Sequence, residues 1–112
     1  MTVDERTRRI GENEALYRSI NEKIEELNAS FGMVAESMAV ICECGMLECA
    51  QQIDLEIPAY ERIRSDPVLF VVVPGHEIPD VESVVEAHSD FNVIRKNPGG
   101  PEELARNTDP RA

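Results

Sequence analysis

Three cysteines stand within eight residues, in the stretch Ile41-Cys42-Glu43-Cys44-Gly45-Met46-Leu47-Glu48-Cys49, and the rest of the chain has none. An odd number of thiols this close together does not make a disulfide framework. It does resemble most of a metal site. Residues two apart on a strand point the same way, so Cys42 and Cys44 can reach one ion. Gly45 is expected to let the backbone fold back sharply, and the next four residues return Cys49 to the same point. A closed tetrahedral zinc site needs four ligands, so one must come from elsewhere.

His76 is the expected fourth ligand. It lies in Val73-Pro74-Gly75-His76-Glu77, directly after the most apolar run, where the chain leaves a sheet end. His88 is the rival, on what reads as the apolar stripe of a short helix. Glu43, Glu48 and Glu77 are the remaining oxygen donors near enough in sequence to complete the set.

A metal would also answer a size problem. Setting aside an N-terminal helix and a tail leaves roughly 60 residues for a core, which is marginal without a staple. The chain has 112 residues, its aromatic content is 4% and it has no Trp, so large rings will not make up the deficit.

The net charge is -11, with seven acids and five bases in residues 1–31 and fifteen acids and six bases beyond. A phosphate-backbone binder needs basic surface to release counterions, so nucleic acid is not expected as a direct ligand. A protein partner with a basic surface fits better. No stretch is long and apolar enough to span a bilayer, and the N-terminus lacks the apolar core of a signal peptide. Those features and the free thiols read as a cytoplasmic protein.

Apolar positions Ile10, Tyr17, Ile20, Ile24, Leu27 and Phe31 predict a long helix from Ile10, after a polar, frayed Met1–Arg9, with Gly32 as its C-terminal cap. From Tyr17 the spacing alternates three and four, the pattern of a heptad seam. That seam can dock on the protein's own body or form a homodimer through Tyr17, Ile20, Ile24, Leu27 and Phe31. Met33–Met38 links helix to body. Ala39–Cys42 and Gln52–Ile57 predict two strands of a hairpin whose turn carries the thiols. Pro58 and Pro67 bracket a short helix that turns Tyr60 and Ile63 inward. Val68–Val73 predicts the central strand. Asp80 is expected to cap a second short helix bearing Val81, Val84, Val85 and His88, and Phe91–Lys96 the last strand.

The fold class expected is α+β: a long N-terminal helix, then a small zinc-stapled sheet of about four strands with two short helices. Residues 1–34 form the helix, 35–97 the zinc-bound body, and 98–112 a flexible acidic tail.

Other uses of the thiols compete. They can be small buried core residues, or a redox-sensing set in which two pair and one stays reactive. Iron–sulfur clusters prefer four cysteines. Glu77 as a base beside an open three-cysteine zinc would be the catalytic version. The zinc deaminase pattern, the nucleophile elbow, the phosphate-binding glycine loop and the dinucleotide fingerprint are all absent. The expectation is a non-enzymatic, zinc-finger-like module with Cys42, Cys44, Cys49 and His76 on a structural zinc. It would act in protein interaction or regulation; a thiol-based redox or metal sensor is the alternative.

The body also resembles an uncharacterised family of short bacterial proteins common in high-GC Gram-positive genomes. The resemblance rests on Cys42-Glu43-Cys44-Gly45 with Cys49, Tyr60-Glu61-Arg62-Ile63-Arg64, Phe70-Val71-Val72-Val73-Pro74-Gly75-His76-Glu77 and Val81-Glu82-Ser83-Val84-Val85-Glu86. Asn21–Asn28 and Thr108-Asp109-Pro110-Arg111 extend it over nearly the whole chain. It implies that the chain is complete, and it implies no known activity.

Overall fold

The computed structural model describes residues 3–30 and 36–111. Phe31 of the heptad seam, the Gly32 cap and the linker at Met33–Ala35 lie outside the described residues.

Helix α1 (Val3–Ser30) is longer than the periodicity predicts, at about 42 Å. It starts well before Ile10 and takes in Gly11, because good helix formers there outweigh the lack of apolar spacing. Strands β1 (Ser37–Ile41) and β2 (Gln52–Glu56) pair antiparallel, Val40 opposite Ile53 and Met38 opposite Leu55. All four side chains are buried; Ile53 and Leu55 alternate inward as the sequence indicates, whereas Met38, expected in the linker, belongs to β1, and Ile57, expected on the same strand face, opens the next helix. Helix α2 (Ile57–Arg64) carries Pro58 in its first turn, where a missing N–H costs nothing, and buries Tyr60 and Ile63 completely.

Strands β3 (Leu69–Val72), β4 (Glu82–Ala87) and β5 (Asn92–Lys96) make a second antiparallel sheet in the order β3-β5-β4. Two expectations are corrected here. The centre of this sheet is β5, and the apolar run at β3 lies on its outer side. Residues Glu82–Ala87 form a strand, with no helix over Val81–His88: Val84 and Val85 are exposed, and the strand is held by pairing to β5 across a bulge between Val84 and Glu86. Its inward residue is Glu82, paired with Lys96 at 2.9 Å. An apolar count therefore misreads it.

The outer edge of β3 is not left bare. Glu43 N–H donates to Val71 O at 2.8 Å, and the Glu43 carboxylate accepts from Val71 N–H at 3.0 Å. The end of the β1–β2 hairpin thus lies along β3 and joins the two sheets. The fold is α+β with five strands in two small sheets.

The stretch that reads as an acidic tail forms helix α3 (Gly100–Asn107). It buries only Ala105 fully; Leu104 packs against Gly11 of α1, and the rest of its attachment is polar. Arg18, fully buried on α1, donates to Ala105 O at 2.8 Å and Pro67 O at 2.6 Å, and its guanidinium lies 4.5 Å over the Phe70 ring.

Helix α1 meets the body through a polar face as well. Glu14, Arg18, Asn21 and Glu22 are its buried polar residues, with Ile10, Ala15 and Tyr17 beside them. Lys96 reaches Glu14 at 2.5 Å. Burial first, then the neighbouring Glu82 carboxyl, pushes Glu14 well above the ordinary carboxylate range. Of the heptad seam, Leu27 is exposed and Ile20 and Ile24 are half-buried. Among the described residues no helix is long and apolar enough to cross a membrane.

Candidate metal centre

The cysteine loop grows from the hairpin. Pairing continues one step past β1, where Cys42 N–H donates to Gln51 O at 2.8 Å. The chain then turns along β3, so that alternation puts Cys42 and Cys44 on one side and Glu43 on the other. Glu43 is fully buried and spoken for: it accepts from Asn21 at 2.8 Å and faces the Arg64 guanidinium at 3.6 Å. It is no ligand. The loop returns through a turn in which Cys49 N–H donates to Met46 O at 3.1 Å.

His76 arrives on a second turn. Its N–H donates to Val73 O at 2.9 Å across Pro74 and Gly75, and Gly75 has φ +93°. Proline at the second position and a positive-φ glycine at the third are the signature of a type II turn. The sequence Val-Pro-Gly-His therefore dictates where the imidazole goes.

The ligand atoms of Cys42, Cys44, Cys49 and His76 all lie within 4.8 Å of one another, and this group can hold a metal ion. His76 Nδ1 is 3.6 Å from Cys42 Sγ and 3.6 Å from Cys49 Sγ. Its Nε2 lies 3.5 Å from the Gln51 side-chain amide, which is placed to fix the ring's orientation. The rival His88 lies outside the cluster. It is exposed, stacks on Phe91 at 4.4 Å and meets Glu86 at 3.1 Å. Glu48 is exposed and outside the group, and Glu77, half-buried, is outside it too.

The sulfurs are prepared for a cation. Cys42 Sγ accepts a backbone N–H from Val73 at 3.1 Å. Hydrogen bonding from Cys42 pulls Cys44 down to about 5, while the same bond and burial hold Cys42 far above its ordinary value. A metal ion held by both sulfurs would displace the proton between them.

Comparison of the chain with known protein families, with curated proteins and with solved structures finds no match. The site is read from its geometry alone.

Sequence reasoning missed the residues that hold the loop in place. Asn13, Tyr17 and Asn21 sit four apart on α1, one turn above another. Asn13 donates to Gly45 O at 3.0 Å, and Tyr17 to Leu47 O at 2.7 Å. Asn21 donates to Ile41 O at 2.8 Å and accepts from Ile41 N–H at 2.8 Å. Burial, then the thiols of Cys44 and Cys49, push the Tyr17 phenol up, so it stays a donor. The signal was present as Asn13-x-x-x-Tyr17-x-x-x-Asn21, a polar stripe that interrupts the heptad pattern.

Gly45 serves a different purpose from the one expected. Its φ is not positive; positive φ belongs to Gly75 and Gly99. What it provides is closeness: a Cβ there would stand 2.7 Å from Ile10 Cγ2 and 3.3 Å from Ile78 Cδ1. Helix α1 rests directly on the loop.

Proposed function

We propose that Cys42, Cys44, Cys49 and His76 bind one zinc ion, and that this zinc is structural. The carrying observation is the pair of 3.6 Å sulfur–nitrogen separations around His76 Nδ1. Zinc–sulfur bonds of about 2.3 Å and zinc–nitrogen bonds of about 2.0–2.1 Å at the tetrahedral angle place those atoms about 3.6 Å apart. Four protein donors fill a tetrahedral sphere and leave no position for a reacting water, so the reading is non-enzymatic. Three thiolates suit zinc better than magnesium or calcium, which prefer oxygen.

In this reading the ion joins three pieces of chain: the end of β1, the return of the loop, and the turn after β3. The module presents α1 and an acidic surface to a protein partner, as an interaction or regulatory factor. Supporting this, Leu16, Leu27, Met46 and Leu47 are each more than half exposed, Met46 and Leu47 side by side on the cysteine loop. A second copy of the chain is the competing occupant of the α1 face, and sedimentation of the whole chain separates a monomer from a dimer.

Metal analysis of protein purified without a tag tests the zinc. About one equivalent per chain is expected; less than half an equivalent sinks the assignment.

A further inference from the structure

Exposure is divided unevenly over the four donors. Cys42 and Cys44 are fully buried, whereas Cys49 and His76 are half-buried. Cys49 and His76 line a cavity of about 400 Å³, together with Met46, Glu48, Gly75, Glu77 and Ile78. The centre is sealed on one side and open on the other.

We propose that Cys49 is the oxidation site of this centre: a small hydroperoxide entering this cavity attacks there first, and a Cys44–Cys49 disulfide then empties the metal site. The proposal rests on the zinc reading and adds its regulation. Cys44 is the resolving thiol because its side chain is a direct hydrogen-bond neighbour of Cys49 and the two are joined by only the four residues of a turn. A structural ion can still be lost from its exposed side.

The steps balance without a further co-reactant. The Cys49 thiolate attacks one oxygen of the hydroperoxide and the O–O bond breaks. The sulfur is oxidised to a sulfenic acid, and the other oxygen leaves as an alcohol or water after taking a proton. The Cys44 thiolate then attacks the Cys49 sulfur, the S–S bond forms as the S–O bond breaks, and the hydroxyl takes a proton from solvent and leaves as water. One hydroperoxide is reduced and two thiolates are oxidised. Cys42 and His76 alone do not retain zinc, and a dithiol reductant reverses the loss.

The test treats the whole zinc-loaded chain with hydrogen peroxide. At intervals the thiols are trapped and mapped by peptide mass, and released zinc is read with a chromogenic chelator. Expected is Cys49 as the first thiol modified, then a Cys44–Cys49 disulfide appearing with zinc release, and recovery of zinc binding on reduction. Met46→Trp, at an exposed position on the cavity rim, should slow Cys49 oxidation and zinc release severalfold while zinc content and melting stay as in the parent. The proposal is overturned if Cys42 or Cys44 reacts before Cys49, if all three react together at the rate of unfolding, or if Met46→Trp oxidises as fast as the parent. The order of thiol reaction is read by mass with or without metal, so it is judged separately from the zinc stoichiometry.

Discussion

Asn21 on α1 donates to the buried Glu43 carboxylate at 2.8 Å while it also exchanges two hydrogen bonds with the Ile41 backbone. One amide thus fixes both the last residue of β1 and the residue between two candidate ligands. Asn21→Ala would leave the Ile41 N–H without its acceptor and remove one donor from Glu43. Unmet buried groups cost about 1–3 kcal/mol each, so a loss of about 2–3 kcal/mol in denaturant unfolding is expected. Ser19→Ala, exposed on the same helix, should stay within about 0.5 kcal/mol.

Gly75 gives a cleaner test of how the backbone places His76. A Cβ at Gly75 meets nothing within 4 Å, so space is not the obstacle, but φ +93° is a conformation that side chains resist. Gly75→Ala should cost about 1–2 kcal/mol and weaken metal binding, measured by competition with a chelator. Gly100 is equally open and lacks the positive φ. Gly100→Ala should leave metal binding untouched.

The parts of this fold legible in the sequence were those built on apolar alternation or on turn chemistry. Ile53 and Leu55 declare the second strand of the hairpin, and Pro74-Gly75 places His76 beside the thiols. Where burial is polar, the pattern fails. Helix α1 docks through Glu14, Arg18, Asn21 and Glu22, so among the described residues only Tyr17 and Ile24 of its apolar seam reach the body and Leu27 is left outside. Strand β4 turns Glu82 inward to Lys96 and leaves Val84 and Val85 outside, which mimics helical spacing. Helix α3 fully buries one alanine, sets Leu104 against Gly11, and takes a hydrogen bond from Arg18 at Ala105 O, too few apolar contacts for hydrophobic periodicity to register.

Arg111 supplies a pH dependence. Its guanidinium meets Glu22 and Glu25 from α1 and Glu61 from α2, at 2.6, 3.0 and 2.6 Å. Burial, then the hydrogen bond to Glu61, raises Glu25 from 4.5 to about 7. Arg111 and the same bond from Glu25 lower Glu61, so the proton rests on Glu25. A raised carboxyl binds more protons folded than unfolded. The stability it contributes is complete below about 4.5 and is lost as pH rises through about 7. Glu25→Gln should flatten that slope in denaturant midpoints measured across the window. An unchanged slope would place the proton elsewhere.

Substitution at Cys44 separates a fold carried by the metal centre from one carried by the hydrophobic core. Cys44 is fully buried, within 4.8 Å of every other donor, and the loop that bears it is what α1 rests upon. Cys44→Ser removes a thiolate from a site whose binding energy is folding energy. The loop then loses its anchor, and Asn13 and Tyr17 lose the ordered carbonyls of Gly45 and Leu47. An isolated helix of this composition is marginal in water, because most helical stability comes from tertiary packing. Helical ellipticity should therefore fall along with the melting transition, rather than surviving as a free rod. His88→Ala, at an exposed histidine outside the cluster, should shift stability by no more than about 0.5 kcal/mol and leave zinc content unchanged. If Cys44→Ser melts like the parent, the two sheets are held by Val40, Phe70, Ile94 and their neighbours alone, and the structural role of the metal is wrong.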